Sequence, residues 1–441
     1  MESGAHGCAD AALALYEQLL SPSLLDEARR SLGLPGGGGL FHSALTIWLG
    51  IRRRLGGGLS VEQTWLSCSI DEVLRLSPRS SRAKSGALSP HASGFDYARR
   101  HLPLELVCLA ADVIFAEAQA LLEAKPEASW YLIDGSSLTM ERTASLAKAF
   151  PAASNQHGPI HWLIVKVAVA HDLYSGLSMR PEWGPMHGPN AVSEQEMAYK
   201  LIERLPAGCG VIADRNFGIL QVAWALRDRP MLVRLTDARA KSMLKGKGTL
   251  DADVDVLHTW NPSAWERSHH QEFKQMSVPG RIVVRHVLGP KGKKVRVCLF
   301  TNDLSISPED LTLLYTKRWN VETDLRTLKQ TLDMELVRAQ SPDMVAKELV
   351  LGIAAYNIVR TIMAQAAELA GVQPRQLSFA RAKGCIEIFA ERGPLTPESI
   401  QQMLVLIAGR KQPNRKRKRS FPRTVWTRPK QFPSRHTEGA K

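Results

Sequence analysis

Short apolar runs alternate with helix-forming stretches between Trp130 and Leu235, and this alternation constrains the chain most, because it predicts an α/β sheet. Strands are expected at "WYLID" (130–134), "HWLIVKVAVAHD" (161–172), "LYSGLSMRPEW" (173–183), "CGVIAD" (209–214) and "MLVRL" (231–235). Helices are expected at "SEQEMAYKLIERL" (193–205), where Ser193 and Glu196 suit a capping box, and at "FGILQVAWALRD" (217–228). The order of three strands, helix, strand, helix, strand favours a sheet with some parallel pairing.

The segments before and after this core have different predicted secondary structure. Residues 1–125 are predicted to be mostly helical with turn-rich segments between, and they suit a helical cap or a separate DNA-binding domain equally well. The run 251–301 contains no convincing helix but has two expected antiparallel strands, "IVVRHVL" and "VRVCLF", so a β-rich insertion is predicted at about 237–303. Helices are expected again up to residue 409, which makes 126–409 the predicted catalytic domain.

The positive charge of the chain is concentrated in its last residues, 410–441. That stretch holds 12 Lys/Arg and one Glu, which leaves the first 409 residues at +3 of the total net charge of +14. A basic segment of this kind suits nucleic acid, an anionic membrane or an acidic ligand. It also suits a solubilising, disordered end, so the tail alone does not decide the partner.

Cysteine spacing and hydropathy predict an intracellular protein. The six cysteines have no CxxC pair, which makes a structural zinc site improbable and favours reduced thiols. The first residues lack the cations and the apolar stretch of a signal peptide. The segment "LVLGIAAYNIVRTIMA" contains Asn357 and Arg360 and is judged too short to span a bilayer. A soluble, cytoplasmic protein with no membrane partner is therefore expected.

Two of the expected strands end in an aspartate, Asp134 and Asp214. Ligand sites in α/β sheets lie off the carboxyl ends of strands. Each aspartate alone would more often be an Asx turn that closes a strand. Two in one sheet are more suggestive, because adjacent carboxylates repel each other unless a cation neutralises them. Hard divalent cations with oxygen ligands do this and serve phosphoryl transfer in two-metal sites.

The helix-forming run "YTKRWNVETDLRTLKQ" (315–330) carries a row of polar side chains. At 100° per residue, an arc of about 60° contains four of them, Tyr315, Arg318, Glu322 and Lys329. This row lies beside an apolar stripe of leucines and valine, at the edge of the face expected to be buried. A solvated row is an equally good interpretation of the geometry alone. With Asp134 and Asp214, however, Glu322 completes a plausible metal site.

The spacing Tyr-(2)-Arg-(3)-Glu-(6)-Lys in this run resembles the YREK signature of one branch of the DDE insertion-sequence transposases. "IDGSSL" and "ADRNFG" resemble the first and second aspartate regions of that family. The separations of 80 residues between the aspartates and 108 residues from Asp214 to Glu322 suit it, as does a β insertion before the glutamate. The resemblance covers about 130–435. The first 125 residues resemble the family only in general character and not in a specific motif.

The resemblance implies a fold, a reaction and a site. The fold is α/β, with a ribonuclease-H-like core and β-rich insertion, a helical N-terminal region before it, and helices and a basic tail after it. The reaction is metal-dependent cleavage and strand transfer at the ends of a DNA element. Asp134, Asp214 and Glu322 would be the catalytic acids and would bind Mg²⁺ or Mn²⁺, two ions in all.

The resemblance also implies how DNA is held. The partner would be double-stranded DNA, both the element ends and the target, bound by a homodimer. The predicted backbone contacts are Tyr315, Arg318, Lys329 and the tail residues Arg415, Lys416, Arg417, Lys418 and Arg419. The family places in its β insertion a tryptophan that stacks on a flipped base. Trp260 and Trp265 are candidates by residue type only and are expected to pack.

Two alternative functions remain open at this level. A stand-alone nuclease of the same fold would need neither the basic tail nor the long insertion. A non-catalytic DNA-binding derivative would not need Asp134, Asp214 and Glu322 together with an unbroken YREK face.

Overall fold

The computed structural model describes residues 11–34, 39–122, 129–155, 158–288, 294–391 and 396–412. The predicted DNA contacts Arg415, Lys416, Arg417, Lys418 and Arg419 lie outside these residues. The described residues up to Lys411 form one compact unit. The five described cysteines are free thiols, as the sequence predicts.

The N-terminal region is helical throughout its described part. Its helices are α1 (Ala11–Leu19), α2 (Pro22–Ser31), α3 (Ser43–Leu55), α4 (Val61–Leu66), α5 (Ile70–Leu76), α6 (Ser81–Lys84), α7 (Ser93–His101) and α8 (Leu104–Leu121). Serine N-caps begin several of them, and Ser60 and Ser69 each form a complete capping box. The Ser- and Gly-rich stretch around residues 77–94 is one of the segments predicted to be turn-rich, and it holds α6 and the start of α7.

The core alternates strands and helices from residue 130 onward. The strands are β1 (Trp130–Met140), β2 (Ser154–Asn155), β3 (Gly158–Pro159), β4 (Leu163–Asp172), β5 (Glu182–Pro185), β6 (Gly210–Ala213), β7 (Met231–Arg234), β8 (Val254–Trp260), β9 (Val278–Leu288), β10 (Lys294–Thr301) and β11 (Leu336–Val337). The helices are α9 (Ala144–Ala149), α10 (Glu194–Arg204), α11 (Leu220–Ala225), α12 (Asp237–Met243), α13 (Ala264–His269), α14 (Pro308–Thr316), α15 (Trp319–Arg326), α16 (Pro342–Leu369), α17 (Phe379–Glu391) and α18 (Pro397–Ala408).

One mixed sheet contains every strand except the β2–β3 pair. Its order is β5-β4-β1-β6-β7-β10-β9-β8, and β11 pairs with β1. β1, β6 and β7 are parallel neighbours, whereas β4 and β5 add to β1 as antiparallel strands. This arrangement confirms the predicted fold class, a ribonuclease-H-like α/β core.

The insertion extends this central sheet. β10 pairs antiparallel with β7 and with β9, and β9 pairs antiparallel with β8. The predicted hairpin of "IVVRHVL" and "VRVCLF" is therefore confirmed. The expectation of no helix here is wrong, because Ser263 and Glu266 form a capping box that begins α13.

The long helix α16 is the centre of the α layer and packs against both α3 and α8. Two arginines of α3, Arg53 and Arg54, form ion pairs with the buried carboxylate of Glu348 on α16, at 2.7 and 2.5 Å. Gly50 lies where a β-carbon would be 2.6 Å from Leu351, so the two helices approach closely. The N-terminal helices are thus joined to the core by buried charge pairs and close packing. A separate DNA-binding role for residues 1–125 stays a prediction.

The segment judged too short to span a bilayer belongs to α16, which has 28 residues. By length and composition this helix could cross a membrane, so the length argument is wrong. However, 89% of its most apolar 18-residue window is buried inside the protein, as in a core helix. Its polar residues Asn357 and Arg360 are buried with partners rather than exposed.

Candidate active site

Asp134 and Asp214 lie side by side at the carboxyl end of the parallel pair β1–β6. The last parallel pairing joins Ile133 to Ala213, and each aspartate is the next residue in its chain. Neighbouring strands are about 4.8 Å apart, so the two side chains share one edge of the sheet. The sequence predicts that β1 ends at Asp134. In the structure the strand instead continues to Met140, in antiparallel pairing with β4.

The Asp134 carboxylate is mostly buried, with 16% of its side chain exposed. The pKa of Asp134 is raised to about 6, mainly by burial and also by the nearby Asp214 carboxylate. The backbone N–H of Gly135 opposes this rise by donating to Oδ1 at 2.8 Å. A buried carboxylate beside another one is costly to ionise without a cation. The pair therefore has the chemistry of a cation site.

Arg318 joins Asp134 to the third predicted acid, Glu322. Its guanidinium lies 3.5 Å from Asp134 Oδ2 and donates a 2.6 Å hydrogen bond to Glu322 Oε1. Glu322 lies in the first turn of α15 with 35% of its side chain exposed. The structure thus brings Asp134, Asp214, Arg318 and Glu322 to one edge of the sheet. Glu322 thus pairs with Arg318, which lies four residues earlier in the chain.

The carboxylates at this edge of the sheet fit divalent cations in part. Carboxylate oxygens are the ligands that Mg²⁺ and Mn²⁺ prefer, and Asp134 and Asp214 present them side by side. In the described part of the chain, however, no group of three or more His, Cys, Asp or Glu side chains is close enough to hold an ion. Arg318 supplies the positive charge between Asp134 and Glu322 in this conformation. The pair of aspartates fits a metal, whereas Glu322 is held by Arg318.

The run 315–330 is not the continuous helix that the sequence predicts. α14 ends at Thr316, and bonds of the tighter i to i−3 type follow, from Arg318 N to Tyr315 O and from Val321 N to Arg318 O. α15 then passes into a π-helical turn at Thr327–Thr331. A projection at 100° per residue therefore does not hold across the whole run. Turns of the π type are frequent at functional sites.

The two remaining signature residues occupy different surroundings. Tyr315 is buried, with 8% exposed, and belongs to the hydrophobic core. Burial raises the pKa of its hydroxyl, and the positive charges of Arg318 and Arg234 oppose that rise. Lys329 lies in the π-helical turn and lines a small cleft with Ser136 and Leu138, further along β1. No ion pair joins Lys329 to the three acids in the described chain.

A buried charge cluster that the sequence did not reveal holds α15 in place. Asp324, two residues after Glu322, forms ion pairs with Arg360 at 2.5 Å and with Arg375 at 2.8 Å, and Tyr356 donates a 3.0 Å hydrogen bond to it. Burial alone would raise the pKa of Asp324, but the two guanidinium groups hold it down to about 2. The cluster ties the helix that carries Glu322 to α16.

A basic groove opens next to Asp214, and sequence reasoning also missed it. Its lining includes four cations, Arg215, Arg234, Lys294 and Arg296, and its volume is about 600 Å³. Arg215 directly follows Asp214, and Arg234 ends the neighbouring parallel strand β7. The strand-end argument used for the aspartates could have found Arg234. A groove of this charge next to the carboxylates suits a phosphate backbone.

The tryptophans of the insertion differ from each other. Trp260 is buried and packs edge to face against Phe300, as expected. Trp265 is 61% exposed and stacks on His269 within α13, so the expectation that it packs into the core is wrong.

Comparison with known proteins identifies the class to which this fold and site belong. Residues 125–358 match the family model described as "Transposase DDE domain", so the chain belongs to that family and is a DDE transposase. A 339-residue alignment that covers 72% of this chain is 27% identical to "Transposase InsG for insertion sequence element IS4" of Escherichia coli (strain K12), of which it covers 73%. This assignment confirms the predicted class of insertion-sequence transposase, with DNA as partner and a dependence on divalent metal.

Proposed function

We propose that this transposase cuts the ends of its DNA element with Asp134, Asp214 and Glu322 and with two Mg²⁺ or Mn²⁺ ions. The observation that carries the proposal is the shared guanidinium of Arg318, which lies against Asp134 and Glu322 beside Asp214. In two-metal sites the ions stabilise both the attacking and the leaving oxygen of an in-line displacement. The family also implies that the freed 3′ hydroxyl then attacks the other strand or target DNA.

Arg318 has two roles in this proposal. Before metal and DNA bind, it offsets the repulsion among the carboxylates. Its guanidinium is planar and offers paired donors that match a phosphate. It can therefore leave Glu322 and hold the DNA backbone when Glu322 turns toward the aspartates.

The DNA backbone would continue from Arg318 along two surfaces. Lys329 lines a cleft beside β1. The Tyr315 hydroxyl lies near Arg234, which lines the basic groove next to Asp214 together with Arg215. The tail residues Arg415, Lys416, Arg417, Lys418 and Arg419 would add phosphate contacts. The YREK branch, a homodimer on DNA, a cytoplasmic location and a DNA-binding role for residues 1–125 belong to the same proposal.

The proposal is tested on a short duplex that carries one element end, incubated with Mn²⁺. D134N, D214N and E322Q should each abolish cleavage but still bind the duplex, because each substitution removes one charge and little volume. D228N is the matched control, since Asp228 is exposed and follows α11 away from the sheet edge. Cleavage by E322Q at the wild-type rate would overturn the assignment.

The signature residues need substitutions that respect their burial. Tyr315→Ala would open a cavity and cost about 3 kcal/mol or more of stability, so Tyr315→Phe is the informative change. Tyr315→Phe and Lys329→Ala should each slow end cleavage without a change in melting temperature. Arg326→Ala, on the exposed side of α15, is the control. Wild-type rates for both variants would remove these residues from the DNA surface.

A further inference from the structure

A fourth carboxylate, Glu194, lies at the same edge of the sheet and has no part in the proposed reaction so far. It is the first residue of α10, whose start is fixed by a capping box between Ser193 and Glu196. Because the backbone of this first turn is held on both sides of Glu194, the carboxylate has a defined place.

The side chain of Glu194 lies against β1 directly after Asp134. A β-carbon added at Gly135 would be 2.5 Å from Glu194 Cδ and 2.6 Å from its Oε1. The three atoms nearest to such a β-carbon all belong to Glu194. A glycine at 135 is therefore what allows the carboxylate to reach the backbone of the catalytic strand.

Asn216 connects Glu194 to Asp214. Its side-chain Nδ2 donates a hydrogen bond to Glu194 Oε2, and its backbone N–H donates to Asp214 Oδ1 at 2.8 Å. Gln195 adds a second hydrogen bond to Asn216, because its Nε2 donates to the backbone oxygen of Asn216 at 2.8 Å. These hydrogen bonds fix the loop after β6 to the first turn of α10.

We infer that Glu194 is a positioning residue, which holds Asp214 beside Asp134 through Asn216 and so sets the affinity of the site for divalent metal. This inference rests on the proposed metal site of Asp134 and Asp214. An alternative is that Glu194 only stabilises the loop, with no effect on metal binding. Partners that orient metal-binding side chains typically change metal affinity by 10- to 100-fold when they are removed.

The test is a calorimetric titration of the full-length protein with Mn²⁺ in the absence of DNA. Glu194→Ala should weaken Mn²⁺ binding by on the order of 10-fold. Glu194→Gln keeps an oxygen that can accept from Asn216, so its affinity should lie closer to that of the wild type. Glu203→Ala, at an exposed position of α10, is the matched control and should bind as the wild type does.

Gly135→Ala gives an independent check of the same contact. The new β-carbon would displace the Glu194 carboxylate, so this variant should lose Mn²⁺ affinity as Glu194→Ala does. The double variant should be no weaker than Glu194→Ala alone, because the clashing atoms are gone. Thermal melts without metal confirm folding, and Asn216→Ala replaces Glu194→Ala if the latter does not fold.

Failure of the positioning role can be distinguished from failure of the proposed metal site. Wild-type Mn²⁺ affinity in Glu194→Ala, or additive losses in the double variant, would overturn the positioning role. If Asp134→Asn and Asp214→Asn lose Mn²⁺ binding in the same experiment, the proposed metal site stands regardless. If they too bind Mn²⁺ normally, the proposed site itself is wrong.

Discussion

Replacing Asp134 with asparagine should make the metal-free protein more stable near neutral pH. The side chain keeps its shape and can still accept from Gly135 N–H, but it loses a charge that is poorly placed without a cation. The pKa of Asp134 rises from 3.8 to about 6, because of burial first and the Asp214 charge second. Between these values the unfolded state binds fewer protons, so a rise in pH favours unfolding.

The structure sets the size of this effect. A pKa difference from 3.8 to about 6 corresponds to at most about 3 kcal/mol, fully expressed above pH 6 and absent below about pH 4. That shift is a net value, because it already includes the lowering of the pKa by Arg318 at 3.5 Å. We expect Asp134→Asn to raise the free energy of unfolding by about 1–2 kcal/mol at pH 7.5 and by nearly nothing at pH 4.

Urea unfolding with a metal chelator, at both pH values, measures this directly. Asp228→Asn is the control and should change the free energy of unfolding by less than about 0.5 kcal/mol. Saturating Mn²⁺ should reverse the order, because an ion that binds only the folded wild type stabilises it. An Asp134→Asn protein that is less stable than the wild type at pH 7.5 without metal would refute the electrostatic description of the site.

Three further predictions concern Arg318, the buried charge cluster and the tail. Arg318→Lys should cleave an element end on the order of 100-fold more slowly than the wild type in a time course, because lysine lacks the paired donors that position a phosphate; an unchanged rate would argue against it. Asp324→Asn should lower the free energy of unfolding by about 3–5 kcal/mol in urea, because it leaves Arg360 buried and underpaired; a loss below 1 kcal/mol would contradict this. Deleting residues 413–441, which spares the bridge of Lys411 to Leu377, should flatten the salt dependence of DNA binding; an unchanged slope would assign the tail another role.

Local features of the fold could be predicted because they depend on neighbours in the chain. The Ser193–Glu196 capping box is a four-residue pattern, and it begins α10 as expected. The apolar runs before Asp134 and Asp214 form parallel neighbours, β1 and β6. The family signature located Glu322 on a helix next to that sheet edge.

Other features depend on contacts between distant parts of the chain. β1 continues through "GSSLTM", a weak strand sequence, because β4 pairs with it along its whole length. The tightening near Arg318 and the π-helical turn follow from packing that periodicity does not encode. The partners of Asp324 lie 36 and 51 residues further along the chain, so no local pattern announces them.

The same limit applies to the candidate site. Arg318 was predicted as a DNA contact. Its position between Asp134 and Glu322 could not be predicted, because it depends on the tertiary contact with Asp134. Glu194 has the position of an ordinary helix-start residue and is distinguished only by its contact with Gly135 and Asn216.

The most direct test of the central claim is an anomalous diffraction measurement on crystals of the protein bound to an element-end duplex with Mn²⁺. The account predicts two manganese peaks about 3.5–4 Å apart, with ligands from Asp134, Asp214 and Glu322, and with Arg318 moved from Glu322 to a DNA phosphate. Manganese bound elsewhere, with Arg318 still paired to Glu322 in the presence of DNA, would contradict it.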